Sequence, residues 1–522
     1  MKFTVKVFSI KAEKEKILIY TDLSGEITLC EKVATVGPNE PRVISKTVVS
    51  AENGVVLLDR FDGMRDRVFS RFELFALDEK AEGVCYVTDF ASDIPENTAP
   101  YPKADSIKAL TAPKHICDEL GIKQGLLNIN LSQIMSSVET ENTMPYEFNG
   151  KTYYFIRPAI EGIDGYIKSV PLCTMILLNS ATGYCSTREK ALLDKVIHPN
   201  FDWEFPSAFI SAFNMETEDG LDYYCAFVEF LVERYTRPDG KYGRVGGAII
   251  SNEINSQYIW GNAGEMPVEE YMEEYTQAMR FAWLCGQKHC SHFRVYISLD
   301  HFWTGVNFTD SEPMRYYSGR KTVELLNELS HRDGNFGWGI AHHPYPEDLN
   351  CPDFWNDRCP RFAFDTHKIT FKNIEVLEAF LAQEHYLYRG ESRRVLFSEQ
   401  GFNSQNGHFK EITEKQAAAA YILAYMKSRN MGIVDMMTHH NFVDNPHEFG
   451  LNLGIYRHDP TKPGSLGEPK PIVESIKAMD SPDEDRAVEM ARAFIGEELF
   501  DLVLNAPEVI GDENRENILG NA

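Results

Sequence analysis

The chain has 522 residues, 43% of them hydrophobic, and a formal net charge of −26. A chain of this length can bury a large core and is expected to form two or three domains. Its negative charge repels phosphate backbones and anionic lipids, which argues against nucleic acid and membrane partners and favours a neutral or cationic ligand. No apolar run is long enough to span a bilayer, and the first twenty residues lack the apolar core of a secretory signal.

The ten cysteines are scattered and form no CxxC pair or zinc-like spacing with histidine. We therefore expect reduced, buried thiols, no metal, no cofactor and a cytoplasmic protein. Cys351 and Cys359 would be candidates for a loop disulfide if the protein were exported and its signal removed.

The first hundred residues contain short β-prone runs separated by polar turns, among them FTVKVFSI, KILIYT, GVVLLD and VCYVTDF. This texture predicts a small β-sandwich over residues 1–100, with a carbohydrate-binding role left open. The stretch from Pro95 to Pro113 is predicted to be a linker.

After the linker, strand-like and helix-like segments alternate, which is typical of a parallel sheet. Eight apolar strand candidates begin at Gly125, Pro171, Ala208, Gly246, Phe293, Trp338, Arg394 and Ile433. Apolar side chains at helical spacing occupy residues 221–235 and 268–282, and a capping-box pair, Thr413 and Gln416, opens a helix that runs to Asn430. Eight strands separated by helices predict a (β/α)8 barrel over residues 101–480.

Two additions to the barrel are predicted. Asn149-Gly150 lies between β-prone runs and indicates a hairpin inserted near residues 146–158. After a last barrel helix from Pro471 to Met479, a C-terminal extension over residues 481–522 contains an amphipathic helix from Asp485 to Leu504.

Active sites of such barrels lie at the carboxyl ends of the strands, where acidic residues are few in this chain. Asn252-Glu253 follow the fourth segment, Asp300-His301 the fifth and Ser398-Glu399-Gln400 the seventh, whereas Asp435 opens the eighth and is expected at the opposite, stability face. A carboxylate at the end of a buried strand is costly unless it is paired or used in chemistry. Any single one is as often structural as catalytic.

Asn252-Glu253 after strand four and Glu399 after strand seven resemble the signature of the clan A glycoside hydrolases. Within that clan the chain looks most like bacterial members grouped as a domain of unknown function. The resemblance covers residues 101–480. It implies that Glu253 is the acid/base, that Glu399 is the nucleophile and that Asn252 binds a sugar hydroxyl, in a retaining mechanism on an oligosaccharide or polysaccharide-derived substrate.

The sequence departs from the clan pattern at two places. Ile254 stands where many members have proline, and His439-His440-Asn441 end strand eight where many carry a stacking tryptophan. Both departures leave the sugar open. Further candidates for the sugar pocket are polar or aromatic residues expected near the same mouth. They are Asn214, Trp260, Asp300, Trp303, His342, His343, His439, His440 and Asn441.

Two alternative functions remain at this stage. The paired histidines would suit a metal-dependent hydrolase of the amidohydrolase type, but the first strand offers Asn128 and Asn130 where that type needs an H-x-H pair. Adjacent histidines on a strand also point to opposite sides, so one of each pair is expected to pack. The other alternative is a barrel that binds carbohydrate without cleaving it. Linkage, endo or exo action and oligomeric state stay open.

Overall fold

The computed structural model describes residues 6–77, 79–181 and 189–512. A β-rich N-terminal domain precedes a closed barrel of eight parallel strands with helices around it, so the predicted fold class is confirmed. Within the described part of the chain, no helix combines the length and the apolar character needed to cross a bilayer. The described cysteines are all free thiols, and Cys185 lies outside the described residues.

The N-terminal strands are β1 (Lys6–Ala12), β2 (Lys16–Thr21), β3 (Gly25–Lys32), β4 (Val43–Glu52), β5 (Val55–Asp59), β6 (Phe61–Asp62), β7 (Arg65–Asp66), β8 (Arg71–Ala76), β9 (Glu79–Lys80), β10 (Glu82–Gly83) and β11 (Asp89–Phe90). Nine of them form one sheet in the order β10-β1-β2-β5-β4-β3-β8-β9, with β11 paired to β1. Burial alternates along β2, so one face of the sheet supplies core residues such as Ile17 and Ile19.

The remaining strands are β12 (Lys108–Ala109), β13 (Gln124–Asn130), β14 (Met135–Ser136), β15 (Thr143–Phe148), β16 (Lys151–Ile156), β17 (Leu172–Leu178), β18 (Val245–Ile250), β19 (Arg294–Leu299), β20 (Trp338–His342), β21 (Val395–Phe397), β22 (Val434–Thr438), β23 (Tyr456–His458) and β24 (Leu466–Pro469). The barrel is β12-β13-β17-β18-β19-β20-β21-β22. One inward side chain from each strand fills its interior: Ala109, Leu126, Ile176, Ile249, Tyr296, Ala341, Leu396 and Met436.

The helices are α1 (Lys114–Leu120), α2 (Leu131–Ile134), α3 (Arg157–Ser169), α4 (Lys190–Val196), α5 (Glu218–Tyr235), α6 (Gln257–Trp260), α7 (Val268–His289), α8 (Gly319–Asp333), α9 (Glu375–Leu381), α10 (Lys410–Asn430), α11 (Ile472–Ala478), α12 (Glu484–Ile495) and α13 (Glu497–Leu504). The N-terminal domain packs against helix α7. The ring of Phe281 on α7 lies 5.8 Å from Phe69 and 6.2 Å from Tyr86, so the sheet and the barrel share one core.

Two of the strand predictions are wrong, and the two errors cancel. The first barrel strand is β12, which lies inside the predicted linker, whereas the segment 208–214 is not a barrel strand. That segment makes only isolated bridges, from Ile210 to Ser180 and from Ser211 to Asn262, beyond the ends of β17 and β18. The segment resembles a strand in sequence because most of its side chains are apolar, as its burial in the structure requires. Glu253 and Glu399 still follow the fourth and seventh strands.

Smaller differences concern the ends of elements. Helix α10 begins at Lys410, so Thr413 is not its cap; its hydroxyl donates to the carbonyl oxygen of Phe409 at 2.8 Å, as an interior threonine does. The predicted amphipathic helix is two helices, α12 and α13, that meet at Gly496 with φ 101°. β15 and β16 do form a hairpin at Asn149-Gly150, where both residues have positive φ.

An ion cluster around Asp435 lies at the amino end of the barrel, the face where the sequence predicts this residue. Arg294 Nη1 and Arg394 Nε lie 2.5 Å and 2.9 Å from Asp435 Oδ2, and Arg394 Nη2 lies 2.5 Å from Oδ1. Tyr101 stacks on Arg294 with the guanidinium carbon 3.5 Å from the ring centre. The Asp435 side chain is 6% exposed, and both of its oxygens are paired with an arginine.

Replacing Asp435 with Asn should destabilise the fold, because two arginines would then face each other at a largely dry site. Removing one partner of a buried ion pair costs roughly 3–5 kcal/mol, and partial exposure of the arginines places the expected loss of unfolding free energy at about 2–4 kcal/mol. Denaturant unfolding measures it. The matched control is Asp239→Asn, which breaks an exposed pair with Arg237 and should leave stability nearly unchanged. Equal losses in both variants would contradict the assignment.

Candidate active site

The loop after β18 places Glu253 at the carboxyl end of the barrel. Ser251 and Glu253 both have left-handed backbone conformations, with φ of 63° and 37°, which non-glycine residues rarely adopt. Neighbouring groups hold this loop: the Ser251 amide donates to the Leu177 carbonyl at 2.9 Å and the Glu253 amide to Ser298 Oγ at 2.9 Å. The strain is therefore compensated by hydrogen bonds from two adjacent strands, and the side chain of Glu253 is fixed in direction.

Glu253, His343 and Glu399 meet at this mouth. One ligand atom from each side chain lies within 4.8 Å of the other two. His343 Nδ1 is 2.8 Å from Glu253 Oε1 and its Nε2 is 3.1 Å from Ser398 Oγ, while the Tyr345 hydroxyl donates to Glu399 Oε1 at 3.0 Å. Among the described residues neither carboxylate uses its second oxygen in a hydrogen bond. Each therefore keeps one oxygen available to a ligand.

The charges of the site are balanced by histidines. Burial on its own would raise the pKa of Glu399, but the positive charges of His343 and His440, with the Tyr345 hydroxyl, outweigh it and hold that pKa below its ordinary value. Burial disfavours the charged form of His343, yet the carboxylates Glu399 and Glu253 raise the pKa of His343. The site thus favours an anionic Glu399 beside an imidazolium.

A histidine–glutamate pair lies on the loop after β22. His440 is hydrogen-bonded through Nε2 to Glu448 Oε1, and the His440 side chain remains 31% exposed. Burial opposes its charge, but Glu399 and Glu448 raise the pKa of His440 to about 9. The peptide bond between His440 and Asn441 is cis. A charged imidazole therefore stands at the strand end where the sequence departs from the clan pattern.

The Asp300 side chain is buried and hydrogen-bonded to the residues that follow Glu253. Its carboxylate accepts hydrogen bonds from Asn255 Nδ2 at 2.5 Å, Ser256 Oγ at 2.7 Å and the Phe302 amide at 2.8 Å. Burial and the nearby charge of Glu253 raise the pKa of Asp300 to about 7. The prediction that Asp300 binds sugar is not supported, because its oxygens are taken by the protein.

Four other predicted pocket residues are packing residues. Trp303 is fully buried, with Nε1 donating to Phe364 O at 2.9 Å, and Asn214 is bonded to Lys195 O and Thr217 Oγ1. His342 and His439 are buried and bonded to the carbonyl oxygens of Ile369 and Leu453, and burial lowers the pKa of each to about 3. The structure thus buries these four side chains and gives each a partner within the protein, which leaves them little access to a ligand.

Three of the predicted residues remain partly exposed on loops that follow barrel strands β18 and β22. Asn252 precedes Glu253 and makes no side-chain hydrogen bond to the described residues, which leaves its amide available. Trp260 ends the short helix that follows the Glu253 loop, and Asn441 follows His440 and accepts a bond from the Phe442 amide. They stay candidates for contact with a ligand.

Among the described residues, two groups of three side chains have ligand atoms close enough to one another to hold a cation. One is Glu253, His343 and Glu399. The other is His198, Glu216 and Glu274, in which the Asn200 amide donates to His198 Nδ1 at 3.1 Å and Nε2 lies 2.7 Å from Glu274 Oε2. A neutral imidazole that accepts at Nδ1 carries its proton on Nε2, so that nitrogen donates to Glu274 and does not suit a metal.

Sequence reasoning missed Tyr345, Ser398 and Glu448 as members of the site. Tyr345 lies two positions after His343, so strand alternation would have placed it on the same side. Ser398 immediately precedes Glu399, and a serine at a strand end carries less of a catalytic signal than the carboxylate beside it. Glu448 lies in an irregular loop and carries no local signal.

The family model described as "Family of unknown function (DUF5722)" matches residues 100–502. The chain belongs to this family. The match spans all eight barrel strands and ends within α13. No curated protein matches the sequence.

Several solved structures are similar to the chain. One is a family 39 glycoside hydrolase from the gut symbiont Bacteroides cellulosilyticus WH2, with 14% identity over 92% of this chain and 83% of that one and a TM-score of 0.45. Another is the β-glycosidase of the hyperthermophile Thermosphaera aggregans, with 11% identity over 72% and 86% and a TM-score of 0.46. At these values neither similarity carries an argument about substrate or reaction.

The charge state of His440 can be measured directly. With Glu399 and Glu448 beside it, His440 should titrate at about pH 9 in the intact protein, and Glu448→Gln should lower that midpoint because a charge that favours imidazolium is lost. Histidine-labelled NMR titration reads both values. His342 and His439 serve as internal controls that stay neutral down to about pH 3. A midpoint unchanged by Glu448→Gln would show that this pairing is not formed in solution.

Proposed function

We propose that the protein is a retaining glycoside hydrolase, with Glu399 as nucleophile and Glu253 as acid/base. The observation that carries the proposal is the meeting of these two strand-end carboxylates, with oxygens within 4.8 Å, at one mouth of the barrel. Retaining enzymes hold their carboxyl groups about 5–5.5 Å apart, whereas inverting ones need roughly 6.5–9.5 Å to admit a water molecule. The short separation favours direct attack by one carboxylate.

The assignment of roles follows from the surroundings of each group. Glu399 receives the Tyr345 hydroxyl and lies among positive charges that keep it ionised, as a nucleophile requires. Glu253 is bonded at Oε1 to His343, a group that titrates, so it can exchange a proton during the reaction. In this mechanism Glu399 attacks the anomeric carbon while Glu253 protonates the departing oxygen. Glu253 then takes a proton from the water that releases the sugar.

The ligand expected at this mouth is a glycan. The partly exposed Asn252 and Asn441 amides offer hydrogen bonds to hydroxyls, and Trp260 offers an apolar face for sugar C–H groups. The overall charge of −26 disfavours polyanionic substrates. A carbohydrate-binding barrel without activity would require the same contacts, but it would not need two carboxylates with open oxygens.

Hydrolysis of a panel of aryl glycosides, with the anomer of the first-formed sugar followed by proton NMR, tests the proposal. Retention of configuration is the expected result. Glu399→Gln should lower kcat by roughly 10⁴-fold or more, and Glu253→Gln by about 10²–10⁴-fold for poor leaving groups. Added azide should restore part of the Glu253→Gln rate and give a glycosyl azide of retained configuration.

Glu265→Gln is the matched control, because Glu265 is an exposed glutamate on the same loop and pairs only with Arg315 among the described residues. Its rate should equal that of the wild type. Inverted product would exclude Glu399 as nucleophile. Glycan binding without turnover on any substrate of the panel, unaffected by either glutamate variant, would favour the binding protein instead.

A further inference from the structure

A cavity of about 870 Å³ lies at the amino end of the barrel, opposite the mouth that holds Glu253 and Glu399. Arg294 and Trp338, the first residues of β19 and β20, line this amino-end cavity, and so does Arg394, which directly precedes β21. We propose that the amino-end cavity binds a small organic anion whose carboxylate or phosphate group is held by Arg294. The cavity takes no part in the proposed hydrolysis, so the inference stands apart from the proposed function.

The wall of the amino-end cavity carries an excess of positive charge. Its three arginines are Arg294, Arg393 and Arg394. Among the described residues their salt bridges go to a single carboxylate, that of Asp435, which pairs with two of them. At the rim the exposed Lys103 and Glu391 offset each other, and His292 adds no charge at neutral pH because burial lowers its pKa. In a chain with a formal charge of −26, this local excess favours an anionic ligand.

Arg393 lacks a carboxylate partner altogether. It is 2% exposed, and it donates from Nε to the Tyr386 carbonyl at 2.8 Å and from Nη1 to the Phe336 carbonyl at 2.7 Å. Nη2 donates to Asn335 Oδ1 at 3.0 Å. These acceptors are neutral, and burial lowers the pKa of Arg393 to about 9. A buried charge without a counter-charge is costly, and an anion in the cavity would supply the counter-charge.

Arg294 has the geometry needed to bind an oxyanion. Its Nη1 lies 2.5 Å from Asp435 Oδ2, and Tyr101 stacks on the guanidinium at 3.5 Å, so the group is fixed in orientation. Nε and Nη2 make no hydrogen bond of good geometry to the described residues. These two nitrogens form one edge of the guanidinium, the edge that donates in parallel to two oxygens of a carboxylate or phosphate. The side chain is 28% exposed, which leaves it accessible to a ligand.

Two more polar groups of the cavity wall are buried without a partner. Trp283 is 4% exposed, and its indole N–H makes no hydrogen bond within the described part of the chain. The Tyr296 hydroxyl is buried and has no hydrogen-bond partner of good geometry among the described residues, although Arg294 lies near it. Buried tryptophan and tyrosine usually find a partner for these groups. An oxygen-bearing ligand would provide one.

Aromatic rings give the amino-end cavity apolar surfaces as well. Trp283, Trp338 and Tyr388 line it. Between two of these rings lies Gly337, where an added Cβ would be 3.2 Å from the Tyr388 ring and 3.3 Å from Trp283 Nε1. The glycine therefore leaves room for a planar group beside the rings. A volume within the roughly 300–1,000 Å³ of small-molecule sites, together with these surfaces, favours an organic anion over a single inorganic ion.

Isothermal titration calorimetry of the full chain with four probes tests the proposal. The probes are phenyl phosphate, benzoate, inorganic phosphate and neutral phenol. We expect one of the two aromatic anions to bind at one site per chain, at least about tenfold more tightly than inorganic phosphate, and phenol not to bind. The tighter of the two identifies the charged group as phosphate or carboxylate. Absence of binding by both, or equal affinity for inorganic phosphate, would overturn the proposal.

Two variants locate the bound probe. Arg294→Gln should weaken binding about 10–100-fold, because two charge-assisted hydrogen bonds are lost. Since Arg294 also pairs with Asp435, thermal unfolding must show that this variant is folded at the temperature of the titration. Trp283→Phe keeps an aromatic ring, loses only the N–H donor and should weaken binding about 3–10-fold. Affinity unchanged in both variants would show that the probe binds elsewhere and would refute the site.

The matched control is Arg237→Gln, which removes an arginine from an exposed pair with Asp239 outside the cavity and should leave the affinity unchanged. Glu399→Gln distinguishes the two ends of the barrel. Unchanged affinity in that variant supports a site at the amino end, whereas a change as large as that in Arg294→Gln would place the anion at the catalytic mouth and contradict the proposal. Neither readout requires hydrolysis, so a failure of the proposed function leaves this test intact.

Discussion

Two carboxylates within 4.8 Å of each other at a largely dry barrel mouth form the constraint on which this site depends. Their repulsion amounts to about 3–4 kcal/mol by Coulomb's law at an effective dielectric constant of about 20. Positive charge must compensate it, and His343 and His440 supply it from strands six and eight. The positive charges of the two histidines thus offset the repulsion between the carboxylates. The strained loop after β18 contributes by holding Glu253 close to Glu399.

The two ends of the barrel treat charge in opposite ways. At the amino end both oxygens of Asp435 are engaged by Arg294 and Arg394, and the cluster closes the barrel. At the carboxyl end Glu253 and Glu399 each use one oxygen among the described residues and keep the other open. A layer of apolar side chains with Tyr296 separates the ends. Paired charge at one end serves stability, and partly unpaired charge at the other is available for chemistry.

The fold class and the strands that carry the glutamates could be predicted from sequence because buried parallel strands are apolar and of similar length. The first strand could not. It has only two residues, and its Lys108 is buried with Nζ bound to the carbonyl oxygens of Leu120, Ile476 and Met479, at the carboxyl ends of α1 and α11. Lysine in a proline-containing stretch reads as linker, and the apolar segment 208–214 replaced the missing strand in the count.

The packing of individual side chains could be predicted only in part. Trp303 and Asn214 have the residue types of a sugar pocket, yet both are buried in the structure. Trp303 donates to the carbonyl of Phe364, 61 positions later in the chain, and Asn214 donates to the carbonyl of Lys195 in α4, contacts that no local pattern predicts. Adjacent histidines on a strand are easier to predict, because their side chains point to opposite sides. This alternation predicts that one of each pair packs, without saying which.

The inward residues of the barrel decide that choice by parity. Ala341 and Met436 line the barrel interior, and counting by twos from them leads to His343 and His440. No such count applies to Glu253, because β18 ends at Ile250 and both Ser251 and Glu253 have left-handed backbone conformations. The same count excludes His342 and His439, which the structure shows bonded outward to Ile369 and Leu453. Glu399 is not selected by the count either: Leu396 lines the barrel interior, so alternation selects Ser398. β21 ends at Phe397, so the alternation of side chains does not continue through the next residues. There Ser398 contacts His343, and Glu399 accepts a hydrogen bond from Tyr345. Both glutamates therefore reach the mouth from loops beyond the ends of their strands.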